Sequence, residues 1–245
     1  MVRNADDVKD VEHVSFSFIP SLHCDNACSF CMYGAGPDNY TTLDYDAVKS
    51  WMHLVDWSKV VGWGFYGGEP AIEMPLYQKF FDLLPHGLRT FVITNGTWSN
   101  DEERTAQFLA WCTSKFHIII SGTPEHQLHQ NVSMLKEFQQ SCPDGITYKF
   151  GPEEMHPMGR LASPEWSCSK KCVWHQQVTR LGIFPTGHII LQNCDGVYPV
   201  LGHISDMNFN EALDRSKDIR ATGCSLKCTN VNDLISPPDR RRSGA

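Results

Sequence analysis

The chain has 245 residues, 41% hydrophobic and 20% charged, a balance that excludes a disordered or fibrous protein. Its net charge of −7 provides no overall basic field for gripping nucleic acid. No apolar run reaches the length of a membrane span, and the acidic start MVRNADDVKD lacks the pattern of a secretory signal, so a cytoplasmic location is expected.

VSFSFI (14–19) reads as the first strand, and a cysteine-bearing loop follows it. Val48, Trp51, Met52 and Val55 fall near helical spacing and predict a helix over 43–56. VVGWGFY (60–66) is a second strand ending at Gly67-Gly68, and a helix over 73–84 leads to RTFVIT (89–94), which closes on the turn dipeptide Asn95-Gly96. Ser99 or Asn100 is the expected cap of the next helix, with Asp101, Glu102 and Glu103 suited to its first turn. FHIIIS (116–121), a helix over 124–140 and ITYKF (146–150) complete the alternation. Strand and helix alternating in this way predict βαβ units around a parallel sheet. Beyond 150 the pattern changes, and VTRLGIF and HIILQ flank Pro185-Thr186-Gly187 as a β-hairpin. The expected organisation is a core over 1–160 and a smaller cysteine-rich extension over 161–245.

Ten cysteines in a chain without a secretory signal point to metal or catalysis and not to disulfides. Cys112 and Cys142 stand apart in helix-like segments and read as buried, inert thiols. Cys24, Cys28 and Cys31 crowd the loop after the first strand, at the sheet edge where parallel α/β folds bind ligands. Three thiolates at this spacing suit three irons of a 4Fe–4S cluster and leave the fourth iron open. A zinc site completed by His23 or a remote residue is the competing reading. His126 and His129 lack the companions of a zincin motif and read as solvated or core residues. The tryptophans read as core, Trp63 included although it stands close to the glycine loop. No phosphate-binding Gly-Lys-Ser/Thr loop and no nucleophile-elbow serine motif occurs.

CDNACSFC (24–31), with aromatic Phe30 before its last cysteine, resembles the signature of the radical S-adenosylmethionine (SAM) enzyme superfamily. YGGEP (66–70), ITNGT (93–97), IIISGTPEHQLH (118–129) and HPMGR (156–160) are similar to family segments in the same order. The resemblance covers roughly 14–160 and implies a partial (β/α)6 TIM-type barrel. It also implies a SAM-binding 4Fe–4S cluster on Cys24, Cys28 and Cys31. The residues it places near SAM are Phe30, Gly67, Gly68, Glu69, Pro70, Asn95, Ser121 and Arg160, the last as a partner for the SAM carboxylate. The implied reaction is reductive cleavage of SAM to a 5′-deoxyadenosyl radical, which abstracts hydrogen from a substrate C–H bond. An external electron donor such as flavodoxin or ferredoxin is implied as a partner.

Cys168, Cys172, Cys194, Cys224 and Cys228 form a second group, and Cys194 follows the hairpin. This arrangement resembles the SPASM or shortened twitch extension of radical SAM enzymes and implies an auxiliary 4Fe–4S cluster, with zinc as the alternative. Twitch-type enzymes act on amino-acid-derived groups, peptides or sugars, so the resemblance implies a substrate with an amino-acid-like moiety, small or peptide-borne. Modification of a nucleotide or nucleic-acid base is the alternative reaction, and the net charge does not favour it. A non-catalytic module holding zinc or a cluster is the alternative outside catalysis.

Overall fold

The computed structural model describes residues 13–150, 178–192 and 199–222. Its first strand, β1 (His13–Phe18), is joined through α1 (Tyr45–Met52) to β2 (Val60–Phe65), and α2 (Met74–Phe81) leads to β3 (Thr90–Thr94). Next come α3 (Glu102–Cys112), β4 (His117–Gly122), α4 (Pro124–Gln127), α5 (Val132–Ser141) and β5 (Ile146–Phe150). The remaining elements are β6 (Val178–Ile183), β7 (His188–Leu191), β8 (Val200–His203) and α6 (Phe209–Thr222).

These strands form one open sheet in the order β5-β4-β3-β2-β1-β6-β7-β8. β1 to β5 run parallel to one another, as the alternating pattern predicts, because each helical crossover returns the chain to the same starting edge. The α/β partial barrel expected from the sequence is therefore present. The sixth strand departs from a simple sixfold succession. β6 pairs in parallel with β1, from His13 opposite Val178 to Phe18 opposite Ile183, and β7 and β8 follow it antiparallel. The predicted hairpin is thus β6–β7, and it extends the same sheet on the far flank of β1.

The core lies between the sheet and its helices. Phe16 stacks on Trp63 at 4.6 Å, Phe18 meets Phe80 edge-on at 5.2 Å, and Trp51 closes on Phe16 from α1. Each such ring contributes roughly 1.5–3 kcal/mol by leaving water, which fixes the strands from which the site loops emerge. Trp63 is 1% exposed and belongs to this core, as expected.

Helix ends follow side-chain capping. Asp44 Oδ1 accepts from the N–H groups of Asp46 and Ala47 and starts α1, which buries Val48, Trp51 and Met52. α3 differs from expectation at its start. Its cap is Asp101, whose carboxylate accepts from Arg104 N, while Thr97–Asn100 forms a 3₁₀ turn and Ser99 Oγ donates to Gly96 O. The helix predicted over 124–140 is two helices. Asn131 caps α5 through Met134 N, and Gln130 turns inward to donate to the carbonyl oxygens of Asn95 and Ser121, which the continuous helix would not allow. Cys112 is buried in the core as expected, but Cys142 is exposed, because it follows the last residue of α5.

Candidate active site: a cysteine-lined cavity at the strand ends

The loop after β1 folds back on itself before it reaches its cysteines. Leu22 N donates to Thr41 O, Cys24 N to Gly36 O, and Gly36 N to Leu22 O, which clasp the root of the loop against residues 36–41. Within 24–29 exposure alternates, so Cys24, Asn26 and Cys28 face inward while Asp25, Ala27 and Ser29 face solvent.

Three struts tie this loop to neighbouring elements. Near its root, His23 Nδ1 lies 2.7 Å from Glu73 Oε1 beside α2. Further along, Asp25 accepts from Asn95 Nδ2, Thr97 Oγ1 and, at 3.2 Å, Arg104 of α3. The last strut joins Ser29 to α4, its N–H and hydroxyl both donating to the Glu125 carboxylate at 2.9 Å.

The glycine segment after β2 docks against the same loop. Gly68 N donates to Ser21 O at 2.8 Å and Glu69 N to His23 O at 2.9 Å. Gly67 adopts φ +120°, a conformation that L side chains rarely take, and a Cβ on Gly68 would stand 1.8 Å from the His23 carbonyl oxygen. The backbone that these glycines allow to approach is that of the cysteine loop. Glu69, fully buried, stands behind the wall. Its Oε1 accepts from Ala71 N and Thr94 Oγ1, and its Oε2 accepts from Asn95 N, tying the ends of β2 and β3 together. Burial pushes its carboxyl up to about 7, against the opposing pull of these hydrogen bonds.

What remains between these loops is a cavity of about 350 Å³. Cys24, Cys28, Cys31 and Phe30 line it from the first loop, Gly67 and Gly68 from the second, Asn95 from the third and Ser121 from the end of β4. Glu69 and Pro70 are not among its lining residues: Pro70 is buried, and the Glu69 carboxylate accepts from Ala71 N, Thr94 Oγ1 and Asn95 N. Arg160 and the cysteines at 168, 172, 194, 224 and 228 lie outside the described residues.

Tyr66, Thr123 and His126 also line the cavity, and sequence reasoning did not select them. Phe30 meets the His126 ring edge-on at 5.3 Å, and the His126 Nδ1 lies 3.0 Å from Thr123 Oγ1. Burial lowers the affinity of His126 for a proton. Its only sequence signal is position, a few residues beyond a strand end.

The donor set fits an iron–sulfur cluster. His23, the nearby candidate for completing a zinc site, is engaged with Glu73. A cubane takes one thiolate per iron, and three thiols spread around a shared cavity match that demand. Asn26, 8% exposed, lines this cavity, and its side-chain N–H group has no protein acceptor. A buried orphan donor is costly unless a bound group supplies the acceptor. Burial pushes the Cys24 thiol up to about 12, and Glu69 and Asp25 add to the shift, so loading metal there releases a proton.

Parallel strands here present thiols, glycines and polar side chains around one cavity of an α/β protein. Residues 18–133 match the family described as the radical SAM superfamily. No curated protein matches the sequence. Among solved structures, BtrN in complex with AdoMet and 2-DOIA superposes with a TM-score of 0.57 at 13% identity over 87% of each chain. anSMEcpe with bound AdoMet and the Cp18Cys peptide gives 0.46 at 13% identity, over 83% of this chain and 82% of that one. Streptococcus suis SuiB bound to S-adenosylmethionine gives 0.40 at 12% identity, over 77% and 63%. The BtrN likeness agrees with the open, mostly parallel sheet. No helix among the described residues is long and apolar enough to cross a membrane.

Proposed function

We propose that this chain is a radical SAM enzyme that takes hydrogen from a C–H bond of an amino-acid-like moiety, free, peptide-borne or attached to a larger molecule. The observation that carries the proposal is the convergence of Cys24, Cys28 and Cys31 with the Gly67-Gly68 and Asn95 loops on one cavity. Cys24, Cys28 and Cys31 would hold a 4Fe–4S cluster, which together with SAM would supply the reductive radical chemistry.

The protein's part is to hold and to exclude. Cys24, Cys28 and Cys31 anchor the metal, while the struts at His23, Asp25 and Ser29 keep their loop in one arrangement. Main-chain carbonyl groups at Gly67 and Gly68 suit the ammonium group of SAM, and Ser121 offers a hydroxyl on the opposite wall. Phe30 and His126 form a ring-lined side that keeps water from a reactive carbon centre. Arg160 is assigned to the SAM carboxylate through the sequence resemblance. The amino-acid-like substrate rests on the twitch-like pattern of Cys168, Cys172, Cys194, Cys224 and Cys228, to which we assign an auxiliary 4Fe–4S cluster. An external flavodoxin- or ferredoxin-type protein supplies the electron, and the enzyme works in the cytoplasm.

Anaerobic purification followed by iron and sulfide analysis, then assay with reductant and SAM, tests the reading. Iron with sulfide and formation of 5′-deoxyadenosine support it, whereas zinc without 5′-deoxyadenosine overturns it. Deuterium transfer from candidate substrates into 5′-deoxyadenosine then identifies the substrate and the carbon attacked. A Cys24/Cys28/Cys31→Ala chain retaining about four irons, as one cubane requires, supports the auxiliary cluster; an iron-free chain counts against it.

A further inference from the structure

The side chain of Asn95 does not behave as a SAM contact. Its Nδ2 lies 2.8 Å from Asp25 Oδ1 and 3.6 Å from Cys24 Sγ, so both amide hydrogens have acceptors. Its Oδ1 accepts from Thr97 N at 2.9 Å and from Thr97 Oγ1 at 3.0 Å. These partners fix which end of the amide is nitrogen. Flipping it would set oxygen against the Asp25 carboxylate and N–H against N–H at Thr97. The main chain of Asn95 is equally committed, its N–H to Glu69 and its carbonyl oxygen to Gln130. The residue is 7% exposed and held on every polar atom.

Cys24 is where such a donor matters. Its sulfur is largely buried and stands in the negative field of Asp25 and Glu69. A thiolate in that field gains from each N–H directed at it, and hydrogen bonds to cysteine sulfur set the potential of an iron–sulfur centre. The Asp25 carboxylate directs the Asn95 amide, and Arg104, at 3.2 Å, partly offsets the Asp25 charge.

We infer that Asn95 is a positioning residue for the Cys24 thiolate, and that its amide, oriented by Asp25, holds the SAM-binding cluster at a less negative potential than the bare loop would give. The inference rests on the radical SAM reading and extends it from which residues bind the metal to which residue sets its ease of reduction.

The test is an EPR-monitored redox titration of anaerobically loaded protein, following the reduced-cluster signal that changes when SAM is added. Asn95→Ala is expected to keep its iron and to shift the midpoint to a more negative value, so that the reduced fraction at fixed poise falls several-fold. Labelling asparagine side-chain amides with ¹⁵N is expected to give a nitrogen coupling in the reduced cluster that Asn95→Ala lacks. An unchanged midpoint, or a coupling that survives in Asn95→Ala, overturns the inference. Should that variant lose iron, Arg104→Gln is read instead; it leaves the loop's own residues in place and is expected to give a smaller shift in the same direction, no shift being the overturning result. A wild-type chain that binds no iron–sulfur cluster sinks the radical SAM reading itself, so the two failures are distinguishable.

Discussion

β1 has unlike neighbours on its two sides. Toward β5 the strands are all parallel, so their carboxyl ends share one edge, and the loops after β1, β2, β3 and β4 meet around the cavity. Toward β8 the strands alternate in direction after β6, and a row of loops at one edge cannot arise. What this second flank offers is apolar support. Phe184 and Ile190 pack with Ile19, Leu22, Cys24, Tyr33 and Ala35 under the cysteine loop, and Ile19 N donates to Ile183 O. One flank brings reactive groups together; the other holds the loop that carries them.

This division of labour can be broken from either side. The largest effect is expected on the parallel flank, where Cys28→Ala removes a metal anchor and reduces 5′-deoxyadenosine formation to the level of cluster-free protein, with folding by circular dichroism retained. On the other flank, Phe184→Ala empties a site that is fully buried and should cost about 3–5 kcal/mol in urea unfolding. Iron loading should fall with it, and normal loading would show the hairpin to be a passive neighbour.

Glu69→Leu tests the tie between the second and third loops. It strands three donors, Ala71 N, Thr94 Oγ1 and Asn95 N, and should cost on the order of 3 kcal/mol. The same residue gives a pH signature. Its carboxyl titrates near 7 in the folded chain against an ordinary 4.5, because burial disfavours the charge. The folded state holds this proton more tightly than the unfolded one, so its contribution to stability is complete below 4.5 and is lost as pH rises through 7. Glu69→Gln should lack this slope in a denaturation series. The smallest effect is expected for Glu73→Gln, which weakens the partly exposed contact with His23 and should cost no more than about 1 kcal/mol.

The cysteine loop and the glycine loop were legible in the sequence because each is a local pattern: CDNACSFC and YGGEP declare themselves within a few residues. The strand alternation through β5 was legible for the same reason. The partner of the hairpin was not, since pairing Phe18 with Ile183 spans most of the chain and leaves no periodic mark. Glu69 is contiguous in sequence with the glycines, whereas two of its hydrogen-bond partners, Thr94 and Asn95, come from the next strand end and leave no local signal. The Asp25–Asn95 contact was invisible for the same reason, since Asp25 reads only as the residue between a cysteine and Asn26. The break between α4 and α5 depends on Gln130 finding carbonyl acceptors on other elements, which helical periodicity does not register.

The pairing of β1 with β6 has a consequence for the order of events in the making of the enzyme. The cysteine motif is synthesised early, but the strand that completes its flank and the phenylalanine beneath it come more than a hundred residues later. While the chain is emerging, the thiols of Cys24, Cys28 and Cys31 belong to a loop with one side unsupported. Their pocket gains this support only after residues 178–190 have been made, which sets the earliest moment at which the cavity can be complete.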